Sequence, residues 1–243
     1  MEAFDLYAKS LVIDMGSAQI KAGFCTEESP KLIFESVKSS TTALKVLPAP
    51  VVRKKLGLPA SSNHFKRFEQ LIDRGLLTRH DHADLIIAQV LEELKVKNVE
   101  ETSILFCSPL NAPLRQNVYL AAHCLDKLGL NGVSFLAQPL LPLFARGATT
   151  GLVLELGEGL AQTAAVVQGQ RIRGASGVSR LGGQDVSAAL ARLLRTRGHD
   201  FDRPSEFALL RRVKEELCRV RGAAGDSSSR GGALARKLLL SGS

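Results

Sequence analysis

Apolar positions along this chain fall into two rhythms, and the changes between them mark the predicted elements. "LVIDMGSAQIKAGF", residues 11–24, is an apolar run, an acid, a glycine turn and a second run. That pattern predicts a β-hairpin, with strands at 10–14 and 19–24 joined through Gly16 and Ser17. Strand-like residues return at Leu32, Ile33 and Phe34. Residues 36–66 hold three prolines, several Ser and Thr and the cluster Arg53-Lys54-Lys55, with weak periodicity, and predict a small, loosely structured insertion.

Helical spacing follows. Thr78 with Asp81 three residues later gives a capping-box pattern, and Ile86, Val90, Leu91 and Leu94 fall on one helical face. "TSILFCSPL" predicts a buried strand. Pro113 opens a helix whose apolar face would be Leu114, Val118, Ala121, Leu125 and Leu128, stopped by Gly129. In "SFLAQPLLPLFARG" a helix starting at Pro139 puts Pro142 in its first turn, where backbone N–H groups have no helical partner, so neither proline costs a hydrogen bond. Strands at 151–156 and 161–168 form a second hairpin. A helix at 185–197, with Val186, Leu190, Leu193 and Leu194, runs to Gly198. Another begins behind Pro204-Ser205, with Phe207, Leu210, Val213 and Leu217 on one side. The text from 221 onward, rich in Gly, Ser and Arg, reads as a low-complexity tail.

The second hairpin repeats the first. "LVLELGEGLAQTAAVV" aligns Leu152 with Leu11, Glu155 with Asp14 and Gly157 with Gly16, at a constant offset of 141 residues. Tight glycine turns between strands present successive backbone N–H groups, which bind anions. An acid at the strand end instead serves a hydrated divalent cation. Two such hairpins could grip one Mg-polyphosphate between two similar half-domains. Asp14 would face Mg²⁺ through water, Gly16 and Ser17 would touch phosphate, and Lys21 would add a point charge. A single copy reads better as an ordinary sheet corner with a solvated acid; the repeat strengthens the case for the site considerably.

Composition narrows the class without deciding it. The 243 residues are 45% apolar and 23% charged, ordinary for a soluble protein of one or two domains. No apolar run is long enough to span a bilayer, and "MEAFDLYAKS" lacks the basic start of a secretion signal. Cys25, Cys107, Cys124 and Cys218 are scattered without metal-ligand spacing and read as reduced, buried thiols of a cytosolic or nuclear protein. The net charge of +8 comes wholly from residues 171–243, where 15 basic side chains meet 7 acidic ones. With only Phe201 and Phe207 as aromatics there, nucleic acid is a poor partner, and a solvated or protein-facing basic surface reads better. His80-Asp81-His82 lacks the three or four convergent ligands of a metal site, and as helix-start residues these need only local capping and solvent. His64, His123 and His199 are isolated, and no Ser-His-Asp order with a nucleophile elbow appears. The run 192–197 is the solvated face of its helix.

"LVIDMGSAQIKAGF", "SPLNAP", "ATTGLVLELGEG", "RLGGQDVSAALARLL" and "VKEELCRV" resemble, in order and spacing, segments of actin and actin-related proteins, from the N-terminus to about Val220. "MEAFD", "QDVS" and "PSEF" are most similar to the centractin-like branch. The resemblance implies an α/β, actin-like ATPase (ribonuclease H-like) fold, with duplicated mixed-sheet halves around a Mg-ATP or Mg-ADP cleft and the second half incomplete. Residues 1–35 and 67–145 would form the small-domain core, 36–66 the mobile filament-contact insertion, 146–220 a partial large domain and 221–243 the tail. It implies a cytoplasmic, cytoskeletal protein, with actin or actin-related filaments, their binding proteins or a dynactin-type complex as partners.

Residue by residue, Asp14, Gly16, Ser17 and Lys21 match the family's first phosphate loop, and Glu155, Gly157, Glu158 and Gly159 the second, with Asp14 and Glu155 as the Mg²⁺ side chains. Gln138 matches the glutamine that positions attacking water. Arg211, Lys214 and Glu215 match residues on the adenosine side. Departures accompany these matches. Two family aspartates are Glu155 and Glu158, which keep the charge but move each carboxylate by one methylene. The histidine expected beside the water is Gln162, which cannot act as a general base. The position after Asp14 is the apolar Met15. At most weak ATPase activity follows. Alternatives on the same resemblance are a nuclear subunit of a chromatin complex, or a phosphotransferase or chaperone-type ATPase. The last two lack a candidate substrate-site aspartate and a following substrate domain.

Overall fold

A computed structural model describes residues 9–39, 46–48, 68–201 and 204–219. The expected tail 221–243, the start "MEAFD" and most of the 36–66 insertion lie outside them.

The first hairpin forms as its alternation predicts. Strand β1 (Ser10–Met15) pairs antiparallel with β2 (Gln19–Phe24), and β2 with β3 (Leu32–Ser39). β3 thus reaches into the stretch expected to be irregular, and pairs there with β4 (Val46–Pro48) and β5 (Phe68–Gln70). A short ribbon, β6 (Ile72–Asp73) and β7 (Leu76–Leu77), turns through Arg74 and Gly75. Gly75 has φ of 75°, a left-handed value that a side chain disfavours. Helix α1 (Asp81–Glu93) leads to β8 (Ser103–Ser108), then α2 (Leu114–Ala122), which ends in a π-helical turn at His123–Lys127, and β9 (Gly132–Ala137). β8 and β9 run parallel to β1, giving the sheet order β4-β3-β2-β1-β8-β9.

Helix α3 (Leu140–Ala145) starts after Pro139 as predicted, with Pro142 in its first turn. β10 (Gly151–Leu156), β11 (Ala161–Val167) and β12 (Gln170–Ser179) form an antiparallel meander. The strands β9 and β12 escape the sequence reading, β9 because its apolar residues run without a break into the proline-marked helix. Helices α4 (Gly183–Arg195) and α5 (Pro204–Leu217) follow. The chain divides into two compact units, Met1–Gly183 and Gln184–Ser243. The first unit contains all three sheets.

Its core joins Leu11, Ile13 and Met15 of β1, Phe106 of β8, Ile86 of α1 and Leu120 of α2. A smaller cluster, Leu140, Ala164 and Val166, seats α3 against β11.

Four expectations need correction. Thr78 does not cap α1: the N-cap is His80, without a side-chain cap bond, while the Thr78 hydroxyl bonds the Leu71 carbonyl and lies 2.7 Å from His82 Nδ1. The predicted apolar face of α2 points outward, with Leu114 and Val118 exposed, and Gln116 and Leu120 are buried instead. Gln116 goes inside because its side-chain oxygen accepts the Leu77 N–H at 2.9 Å. Only Cys107 and Cys124 are buried; Cys25 and Cys218 are exposed. The histidines near the start of α1 are more than solvated capping residues: His82 is fully buried and His80 stacks on Tyr119.

Candidate functional site

Three strand ends converge on one point because β1, β8 and β9 are parallel, so their C-terminal ends open on the same side of the sheet, where ligands of α/β folds collect. Asp14 lies near the end of β1, in register with Cys107 of β8 and with Lys21 of β2. Gln138 directly follows β9, its backbone N–H held 2.8 Å from the Ser108 carbonyl. The second hairpin brings Glu155 on β10 opposite Gln162 on β11.

These four side chains form a relay between the hairpins. Gln138 donates from Nε2 to Asp14 Oδ1 at 2.8 Å. Gln162 donates from Nε2 to Gln138 Oε1 at 2.8 Å and to Glu155 Oε2 at 3.1 Å, and its own Oε1 accepts the Leu110 N–H at 2.7 Å. The Gln162 amide is 3% exposed and bonded at both ends. Two carboxylates, one from each copy of the repeat, are thus held by two amides.

Their company shifts both acids. Burial pushes the Asp14 carboxyl above its usual range, against the opposing pull of the Gln138 hydrogen bond and of Lys21. Burial and then the Asp14 charge raise Glu155, with the Gln162 bond pulling the other way. The same burial, with both carboxylates nearby, pushes the Cys107 thiol up to about 12, so it stays protonated.

The turns pack directly on each other. Ser17 Oγ accepts the Gly75 N–H at 2.8 Å, and Gln70 Nε2 donates to the Ser17 carbonyl at 2.6 Å. Arg74 Nη1 donates to the Gly159 carbonyl at 3.1 Å and also to the Arg180 carbonyl. A Cβ on Gly159 would lie 2.7 Å from Arg74 Cα and 2.8 Å from Ser17 Cβ. Only glycine therefore lets the second turn approach the first. Gly16 is similarly confined, since a Cβ there would lie 2.6 Å from the Gln19 carbonyl oxygen.

Between the hairpins lies a cleft of about 410 Å³, of the size that takes a small ligand. Asp14, Gly16, Ser17, Lys21, Gln138, Glu155, Gly157, Glu158, Gly159 and Gln162 all line it. Arg211, Lys214 and Glu215 stand on α5, in the other compact unit. Lining residues that the sequence reading missed include Cys107, hidden in a strand, and Gly75, whose only signal was a turn glycine. Among the described residues no group of three or more His, Cys, Asp or Glu gathers to hold a metal ion. Two desolvated carboxylates flanking one cleft fit a hydrated Mg²⁺ held through its water, which needs only one or two of them.

A family profile described as Actin matches residues 6–237. The chain belongs to the actin family. A curated relative, centractin of Schizosaccharomyces pombe, is 29% identical over 223 residues, which is 90% of this chain and 58% of that protein. The chain thus spans less than two thirds of that relative's length. The mixed sheet β3-β2-β1-β8-β9 and the meander of β10 to β12 constitute an actin-like ATPase fold of partial length. In this actin-family chain the duplicated hairpins face each other across the cleft.

Proposed function

We propose that this actin-related chain binds Mg-ATP or Mg-ADP between its two hairpins, hydrolyses it slowly or not at all, and works through protein contacts. The observation that carries the reading is the meeting of Asp14 and Glu155, from the two copies of the repeat, at a single cleft. The turns at Gly16-Ser17 and Gly157–Gly159 and the Lys21 ammonium suit phosphate oxygens. Mg²⁺, when bound, neutralises charge on the phosphates and on the two acids. Gln138 and Gln162 orient those acids.

Slow turnover follows from the amides. Gln162 has no basic atom, and its polar atoms are bonded to Leu110, Gln138 and Glu155. No proton acceptor remains at that position for an attacking water. The family and the centractin likeness support a cytoplasmic, cytoskeletal setting, with actin-related filaments or a dynactin-type assembly as partners. No helix among the described residues is long and apolar enough to cross a membrane.

A thermal melt of the purified chain, with Mg-ATP and with EDTA, tests the binding. Saturation at a hundred times the dissociation constant stabilises a folded chain by about 2.7 kcal/mol. A cooperative melt that Mg-ATP leaves unmoved would remove nucleotide from the reading. Phosphate release well above background would remove the claim of slow turnover.

A further inference from the structure

Where two oxygens lie at hydrogen-bond distance a proton stands between them, and this fixes the protonation of the buried His82. The Thr78 hydroxyl is 2.7 Å from the Gln70 carbonyl and 3.1 Å from the Leu71 carbonyl. Carbonyls carry no proton, so the one hydroxyl proton of Thr78 is given to these acceptors. Toward His82 Nδ1, 2.7 Å away, the Thr78 oxygen can then only accept, and Nδ1 carries an N–H. The other ring nitrogen decides the charge. Nε2 lies 3.3 Å from Glu69 Oε1 and has no hydrogen-bond partner among the described residues. With the ring neutral, a lone pair faces a carboxylate in a place that water does not reach. A second proton turns the same contact into an ion pair.

The other charged groups around the ring keep their state while histidines titrate. Arg79 Nη1 lies 3.7 Å from Glu69 Oε1 and is charged throughout. Through Nε and Nη2 the same guanidinium grips Asp81, both bonds at 2.9 Å, and holds that carboxyl below its usual range. Asp84, the next acid of α1, is engaged from α2 by the Tyr119 hydroxyl and by His123 Nδ1, each at 2.9 Å. His80 is exposed and stacks on Tyr119. His82 is thus the titrating group set against Glu69.

Glu69 stands on β5, and β5 leads to the cleft. The next residue, Gln70, donates from Nε2 to the Ser17 carbonyl at 2.6 Å, while its own carbonyl takes the Thr78 hydroxyl. The Leu71 N–H then ties the strand's end to the Ser36 carbonyl at 3.0 Å. We propose that His82 is a pH-sensitive latch: protonated, it pairs with Glu69 and holds β5 to α1, and deprotonated it slackens that hold and, through Gln70, the first glycine turn. Histidine is the side chain suited to this, since its charge ordinarily changes near neutral pH. The latch does not depend on what the cleft binds.

The test is NMR of the full chain, without ligand, from about pH 8 to about pH 5. The His82 ring nitrogens should report an Nδ1–H tautomer at the alkaline end and a doubly protonated ring at the acid end. Over the same range the protection factor of the Leu71 amide should rise by about threefold or more relative to the amides of β1. Glu69→Gln should abolish that rise, whereas Asp84→Asn, which changes the carboxylate beside His123, should leave it. His82→Asn, which keeps a donor for Thr78 but cannot titrate, is the second variant should Glu69→Gln lower the melting temperature; it too should abolish the rise. An Nε2–H ring at alkaline pH, a ring that keeps one charge state across the range, or a rise that survives both Glu69→Gln and His82→Asn overturns the latch.

Discussion

Asp14 and Glu155 are carboxylates that resist ionisation, and the sign of that resistance can be followed in pH. Both have pKa values raised by burial in the folded chain, Glu155 also by the charge of Asp14. Ionising them therefore costs folding free energy, and stability falls as pH rises from the ordinary carboxylate range through the raised values. Asp14→Asn keeps an oxygen that accepts from Gln138 but carries no charge. It is expected to raise the ligand-free melting temperature at pH 7, to lose that advantage below pH 4, and to remove the stabilisation by Mg-ATP. Melting curves across pH, with and without Mg-ATP, read all three effects. The two acids were legible in the sequence because each ends an apolar run before a glycine. Gln138 and Gln162 entered through the family resemblance, but their bonds to the acids were not legible, since Gln138 and Asp14 lie 124 residues apart.

Elements were legible where the hydrophobic period was clean and local. Both hairpins, α1, the prolines opening α2 and α3, and the strand at β8 follow from such patterns. The buried side of α2 did not, because Gln116 finds a backbone donor in the β6–β7 ribbon and turns the helix accordingly. Leu120→Ala should cost about 2–5 kcal/mol, as deletions at filled core positions do. Leu114→Ala should stay within about 0.5 kcal/mol. Urea denaturation of the two variants separates them. The two glycine turns also meet as elements. Gly159→Ala sets a methyl against the Arg74 backbone and Ser17, an overpacking expected to cost about 1–3 kcal/mol and to weaken the Mg-ATP shift. The same denaturation series, repeated with ligand, measures both.

At the scale of the whole molecule the chain is uneven. In the first unit, β1 lies between β2 and β8 with its inward residues fully buried, whereas α4 in the second unit has no buried residue. Native-state hydrogen exchange should therefore find the amides of β1 and β8 among the slowest and those of α4 opening with a much smaller free energy. Comparable protection in α4 and β1 would contradict that division.

The sequence by itself determined the two hairpins, the acids at their strand ends and the repeat that relates them, because alternation and turn chemistry act over a few neighbouring residues. Their kinship with the actin family rests on the same short segments. Tertiary structure alone decided which side of α2 is buried, how two glutamines bridge two acids, and why only glycine fits where the second turn meets the first. Each of these depends on which distant element lies alongside, and a burial or a hydrogen bond belongs to the pair of groups that meet, not to either stretch of sequence.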